Sequence, residues 1–163
     1  MQNEFISQNT LSLTDFFRKK KSESESKGNH IDWESKKQIW LNSIDKLYEN
    51  INHWLAPSIE EKLIEVNYEK TELSEDYIDS YSVNNMTLSV GFEQVFFKPK
   101  SMIIMGSAGR VDMIGENGTV WLLLLEKPKN EFTWHIAIRT VRKKYWPLTD
   151  ESFADALKWV MQK

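Results

Sequence analysis

From Asp32 to Ala56 the apolar residues Trp33, Trp40, Ile44, Leu47, Ile51 and Trp54 follow one another at intervals of 7, 4, 3, 4 and 3. At about 100° per residue these positions share one arc with Leu41, Tyr48 and Leu55, and Lys36, Asn42, Ser43, Glu49 and Asn50 fall opposite. The spacing predicts a long amphipathic helix whose apolar arc faces a core. Asn29 or Asp32 can cap its start, Glu34 suits the positive end of its dipole, and Pro57 disfavours helical geometry at Ala56.

Beyond the helix the period changes to two. Ile64, Val66 and Tyr68 alternate with Glu65, Asn67 and Glu69, and Met86, Leu88, Val90 and Phe92 alternate with Thr87, Ser89, Gly91 and Glu93. Val95 and Phe97 follow, then Ile103 to Met105, which precedes Gly106-Ser107-Ala108-Gly109, and Val111 to Ile114, which precedes Glu116-Asn117-Gly118. Asn117-Gly118 has the composition of a two-residue type I′ hairpin turn, because both residues tolerate positive φ. Thr119 to Glu126 is a strand, and Pro128 to Glu131 turns it into Thr133 to Arg139. Connections this short leave no room for crossover helices, so neighbouring strands run antiparallel. Val120, Leu122 and Leu124 alternate with Trp121, Leu123 and Leu125, which predicts a central strand covered on both faces. A last helix starts at the N-cap Thr149, with Asp150 and Glu151 in its first turn and Phe153, Leu157, Val160 and Met161 as its stripe. The expected fold is α+β: a long N-terminal helix, a meander-like antiparallel sheet of five or six strands, and a C-terminal helix packed on the sheet.

Residues 1–29 follow neither period. A short apolar cluster, Leu11, Leu13, Phe16 and Phe17, runs into Arg18, Lys19, Lys20 and Lys21 and then into alternating Ser and Glu. The Ser/Glu stretch lacks the apolar area to offset its ordering entropy, so 1–29 is expected to be a flexible arm and linker ahead of one α+β domain, 30–163. Thr10-Leu11-Ser12-Leu13-Thr14-Asp15-Phe16-Phe17 resembles the sliding-clamp-binding box of replication and repair proteins, Gln-x-x-hydrophobic-x-x-aromatic-aromatic. Leu13, Phe16 and Phe17 stand at its three anchor positions, and Thr10 stands where the Gln is expected. The resemblance covers eight residues and implies a partner groove that takes one helical turn. The same apolar and basic residues also suit weak peripheral contact with an anionic membrane surface.

Composition narrows the chemistry. The 163 residues contain no cysteine, which excludes disulfides, thiolate nucleophiles and zinc-thiolate sites, and fits a reducing, cytoplasmic setting. The longest apolar run, Val120 to Leu125, is strand-sized, and Gln2, Asn3 and Glu4 after Met1 are unlike a secretory leader. The formal charge is −3, but residues 60–79 hold eight acids against two bases, −6 locally, which leaves +3 elsewhere. Such segregation can steer a charged partner.

His30, His53 and His135 are too scattered to form a metal pair, and no phosphate loop or nucleophile elbow is present. Gly106 to Arg110 opens no helix, so it reads as a tight turn. Glu72, Glu75, Asp76 and Asp79 lack the glycine-punctuated spacing of a calcium loop and read as a solvated acidic loop. No metal and no cofactor is expected. Core packing accounts for most of the seven tryptophans. The exception is Tyr145-Trp146 after Arg139, Arg142, Lys143 and Lys144, a basic-aromatic run able to contact a nucleic-acid backbone or to close onto the core as a strand end. The functional expectation is a non-catalytic protein-interaction module, of adaptor, accessory-subunit or inhibitor and immunity type, that uses Leu13, Phe16, Phe17 and Arg18 to Lys21. The alternatives are a small-molecule or hydrolytic domain, with Tyr48, His53, Tyr68 or His135 converging in a pocket between sheet and long helix, and a nucleic-acid binder.

Overall fold

In the computed structural model, residues 13–21, 32–104, 106–138 and 144–162 are described, and the chain divides into two units, Met1–Trp33 and Glu34–Lys163. In the first unit residues 13–21 form helix α1. Helix α2, Trp33–Glu60, follows the 3.6-residue period: Trp40, Ile44, Leu47, Tyr48, Ile51 and Leu55 are its buried residues. It continues through Pro57 for another turn, past the end expected at Ala56. The ring removes one backbone donor, yet the ladder resumes as Glu61 N–H donates to Pro57 O at 3.1 Å. The helix stops where Lys62 enters the left-handed region at φ 59°. There Leu63 N–H donates to Ser58 O and Lys62 N–H to Ile59 O, both at 3.0 Å, the paired closure of a Schellman motif with lysine in the position glycine usually fills.

Seven strands follow in one antiparallel meander, in chain order from edge to edge: β1 Glu65–Glu75, β2 Ile78–Val90, β3 Glu93–Ser101, β4 Gly109–Ile114, β5 Thr119–Lys127, β6 Glu131–Ile138 and β7 Tyr145–Pro147. The α+β class and the antiparallel order agree with expectation, and the count exceeds it. The extra strand is β7, three residues whose pairing to Ala137, Ile136 and His135 is a long-range choice with no periodicity to announce it. Between β3 and β4, where the triplet Ile103 to Met105 suggested a strand, the described residues 102–104 and 106–108 hold an isolated bridge between Ile104 and Ser107 and no strand. Ser107 N–H donates to Ile104 O at 3.1 Å with Gly106 at φ 81°, a tight turn.

Helix α3, Asp150–Met161, begins at Thr149, whose hydroxyl accepts from Ser152 N–H at 3.1 Å while Ser152 Oγ accepts from Thr149 N–H at 2.8 Å. This reciprocal pair satisfies two donors that a helix start leaves over. The other end of α3 is met by the β4–β5 loop: Asn117 donates its backbone N–H to Val160 O and its Nδ2 to Trp159 O, each at 2.9 Å. Asn117 therefore stays out of the left-handed region, and the two-residue type I′ turn expected there is replaced by a four-residue loop closed by Gly115 N–H to Gly118 O. The residue type suited to a tight turn is used instead to cap a distant helix.

Both long helices pack on one face of the sheet. In register, Gly109 lies beside Leu124 and Leu124 beside Trp134, and Phe97, Met113 and Val120 continue that face. The Trp40 ring of α2 lies against Gly109, where an added Cβ would come within 2.2 Å of it, and 6.0 Å from the Trp134 ring. Phe153 of α3 packs 5.4 Å from Trp54 and 6.3 Å from Phe97. Val120, Leu122 and Leu124 are buried, whereas Trp121, Leu123 and Leu125 are only half-buried, which corrects the expectation that β5 is covered on both faces. Two helical stripes close one core layer, and an antiparallel sheet can leave its second face to water. That second face offsets its apolar row with polar groups, including the Arg110–Asp112 ion pair at 2.9 Å and the Arg110 guanidinium 4.6 Å over Trp121.

Candidate functional site

Leu13, Phe16 and Phe17 occupy positions i, i+3 and i+4 of α1 and so lie on one side of a helical turn. They remain 49%, 50% and 59% exposed. The two rings contact each other with centroids 5.9 Å apart, and Lys20 Nζ stands 5.7 Å over the Phe16 ring. Arg18 pairs with Asp15 at 3.3 Å, one turn back, and Arg18, Lys19, Lys20 and Lys21 are all exposed. All seven residues singled out in the arm thus belong to one short helix with an aromatic knob and a basic end. Thr10 lies outside the described residues.

The second basic-aromatic run is divided. Arg139, Arg142 and Lys143 lie outside the described residues; Lys144, Tyr145 and Trp146 are exposed. Tyr145 and Trp146 are successive residues of β7, so they project to opposite faces of the sheet. Tyr145 pairs with Ala137 on the open face and sets its ring edge-on to His135 at 5.3 Å. Trp146 pairs with Ile136, on the face that carries the helices.

Of Tyr48, His53, Tyr68 and His135, Tyr48 and Tyr68 come together, and the four do not converge in one pocket. Tyr48 and Tyr68 lie with ring centroids 5.8 Å apart; Tyr48 donates to Asn84 O at 2.6 Å, and Asn52 Nδ2 donates to the Tyr68 hydroxyl. Burial raises the Tyr48 hydroxyl well above its ordinary range, with Tyr68 and Asp45 adding to the effect, so it is held as a neutral donor. His53 is exposed. His135 is buried on the open face of the sheet, where loss of water lowers its pKa below 6.5, the Thr133 carbonyl opposes the shift, and Lys127 reinforces it. The described residues contain no group of three or more His, Asp or Glu placed to hold a metal ion.

A polar constellation that sequence reasoning missed is centred on Glu75. One carboxylate oxygen accepts from the Tyr81 hydroxyl; the other accepts from Ser101 Oγ and from the backbone N–H groups of Met102 and Ile103, at 2.9 and 3.1 Å. Trp40 Nε1 in turn donates to Tyr81 Oη at 3.1 Å. Burial, followed by the bond to Glu75 and its charge, pushes the Tyr81 hydroxyl up, with the Trp40 bond opposing, so the ring oxygen stays protonated and donates. The chain of bonds ties α2 to the β1–β2 hairpin and to the start of the β3–β4 connection. Glu75 reads in sequence as one acid among eight, and partners 26 to 28 residues away leave no local signal.

The arrangement offers charge and exposed apolar side chains for contact, and the Glu75 carboxylate spends its oxygens on Tyr81, Ser101 and two backbone N–H groups. Comparison with protein families, with curated proteins and with solved structures returns no significant match for this chain.

Proposed function

We propose that the protein is a non-catalytic protein-interaction module, of adaptor, accessory-subunit or inhibitor type, acting in the cytoplasm, with α1 as its recognition element. The observation that carries this reading is the exposure, at about half of each side chain, of Leu13, Phe16 and Phe17 on one turn of a helix that ends in four bases. Apolar side chains at i, i+3 and i+4 are how a helix anchors in a partner's groove, and the basic end favours a groove with an acidic rim. The resemblance of this turn to a sliding-clamp-binding box makes such a clamp the first partner to examine. Among the described residues no helix is long and apolar enough to cross a membrane.

The test is partner recovery from the native host with full-length protein, followed by titration of the recovered protein and of the host's sliding clamp with a peptide of residues 10–24. Phe16→Ala combined with Phe17→Ala should abolish binding in both formats. Neutralising Lys19, Lys20 and Lys21 should slow association mainly at low salt, because rim charges act on encounter more than on residence. A partner held equally well by a chain lacking residues 1–28 overturns the proposal.

A further inference from the structure

The face of the sheet that carries no helix joins planar groups to cations. Lys98, Asp112, Trp121, Ala137 and Tyr145 are register partners in one row across β3–β7, and Phe96 lies two residues along β3 on the same face. Lys98 Nζ stands 5.3 Å from the Phe96 ring centroid, and the Arg110 guanidinium lies 4.6 Å over Trp121, anchored there by its pair to Asp112 at 2.9 Å. Lys144 is exposed at the edge of the sheet, just before Tyr145. Phe96 and Trp121 are half-buried, and Tyr145 is 54% exposed. Trp121 and Tyr145 stand two strands apart, roughly 10 Å, and the side chain between them in the row is the methyl group of Ala137.

Charge is segregated toward the same strands. Residues 94–111 carry three bases and no acid, and residues 132–149 carry four bases and no acid, in a chain whose formal charge is −3. Of the acids that share this face, Asp112 is paired to Arg110 and Glu131 is in register with Lys127. Glu65 and Glu69 belong to β1, at the far edge, and the neutral Ser89 and Asn85 of β2 stand beside them.

We infer that the open face over β3–β7 binds single-stranded nucleic acid, with unpaired bases on Phe96, on the Arg110 guanidinium backed by Trp121, and on Tyr145, and with phosphates against Lys98 and Lys144. Aromatic rings and guanidinium planes both give a base a stacking surface, and the nearby cation answers the phosphate that accompanies it. Positive charge alone suits any polyanion; planes joined to cations along one row select nucleotides. A duplex keeps its base faces inside its own stack, so the strand is single. An acidic protein segment is the poorer occupant, because it engages the cations and leaves the planes unused. The inference rests on the sheet and is independent of α1.

The test is fluorescence anisotropy of the full-length chain with labelled oligothymidylate, oligouridylate and a duplex of equal length. The single strands should bind at least about tenfold more tightly than the duplex, since stacking is open to them alone. Tyr145→Ala should weaken single-strand binding at least about fivefold, and Tyr145→Phe should retain it. Arg110→Lys keeps the charge and removes the plane, and should weaken binding about three- to tenfold. Lys98→Gln and Lys144→Gln should each lower the slope of log affinity against log salt by about 0.7, one phosphate contact apiece. Urea denaturation verifies that each variant is folded. A chain with Phe16→Ala and Phe17→Ala should bind as the unaltered protein does. Failure to bind either strand at low salt, equal binding of the duplex, Tyr145→Ala and Arg110→Lys chains that both bind like the parent, or polyglutamate that competes as well as the oligonucleotide at equal charge overturns the inference.

Discussion

Helices α1 and α2 obey the same rule of spacing and come to opposite ends. In α1 three apolar residues line one side and each stays about half exposed; in α2 Trp40, Leu47 and Ile51 are wholly buried. The difference is one of area. Residues 13–21 offer a single turn of anchors, too short to hold a helix firmly by itself, whereas the 28 residues of α2 carry a stripe long enough to cover a sheet. Periodicity therefore specifies which side of a helix is apolar, and the quantity of apolar surface that meets it decides whether that side becomes core or stays exposed.

Stability measurements by urea denaturation can break this comparison. Trp40→Ala should have the largest effect, a loss of about 3–5 kcal/mol, because it empties a site packed against Gly109 and Trp134 and removes the donor to Tyr81. A similar loss for Asn42→Ala, on the opposite side of α2, would refute the assigned face. Tyr81→Phe should cost about 1–3 kcal/mol, since it leaves Glu75 one donor short and Trp40 Nε1 without its acceptor. Stability unchanged by that variant would mean that water replaces the hydroxyl and that the network is not holding α2 to the hairpin.

A smaller effect of opposite sign is expected where α2 ends. Lys62→Gly should raise stability by about 0.5–1 kcal/mol, because glycine enters the left-handed region without the penalty a side chain carries there. Smallest of all should be the combined Phe16→Ala and Phe17→Ala chain, within about 0.5 kcal/mol of the parent, as expected for exposed side chains. If this pair costs as much as Tyr81→Phe, the two helices differ less than their exposures indicate, and the α1 aromatics contribute to the fold.

Much of the architecture was legible wherever one residue's neighbours in sequence are also its neighbours in space. The α2 face, the alternation in β5 and the Thr149 cap are of this kind, each set by contacts within a turn or along a strand. The anchor residues of the proposed site were legible for the same reason, being three positions of one helical turn.

The tertiary structure decided what depends on distant partners. Pro57 sits inside a helix rather than after one. Asn117 receives the end of α3, 42 residues on, in preference to forming a tight turn. Glu75 leaves an acidic run to bind a backbone segment and a buried tyrosine. Among the described residues the two helices cover one face of β5 and leave the other half-buried, because which stripe meets which face depends on how two helices and a sheet share a single core. Local sequence sets periods and caps through short-range sterics and hydrogen bonds; the pairing of surfaces is a choice among long-range alternatives whose energies become distinct only when the chain is packed.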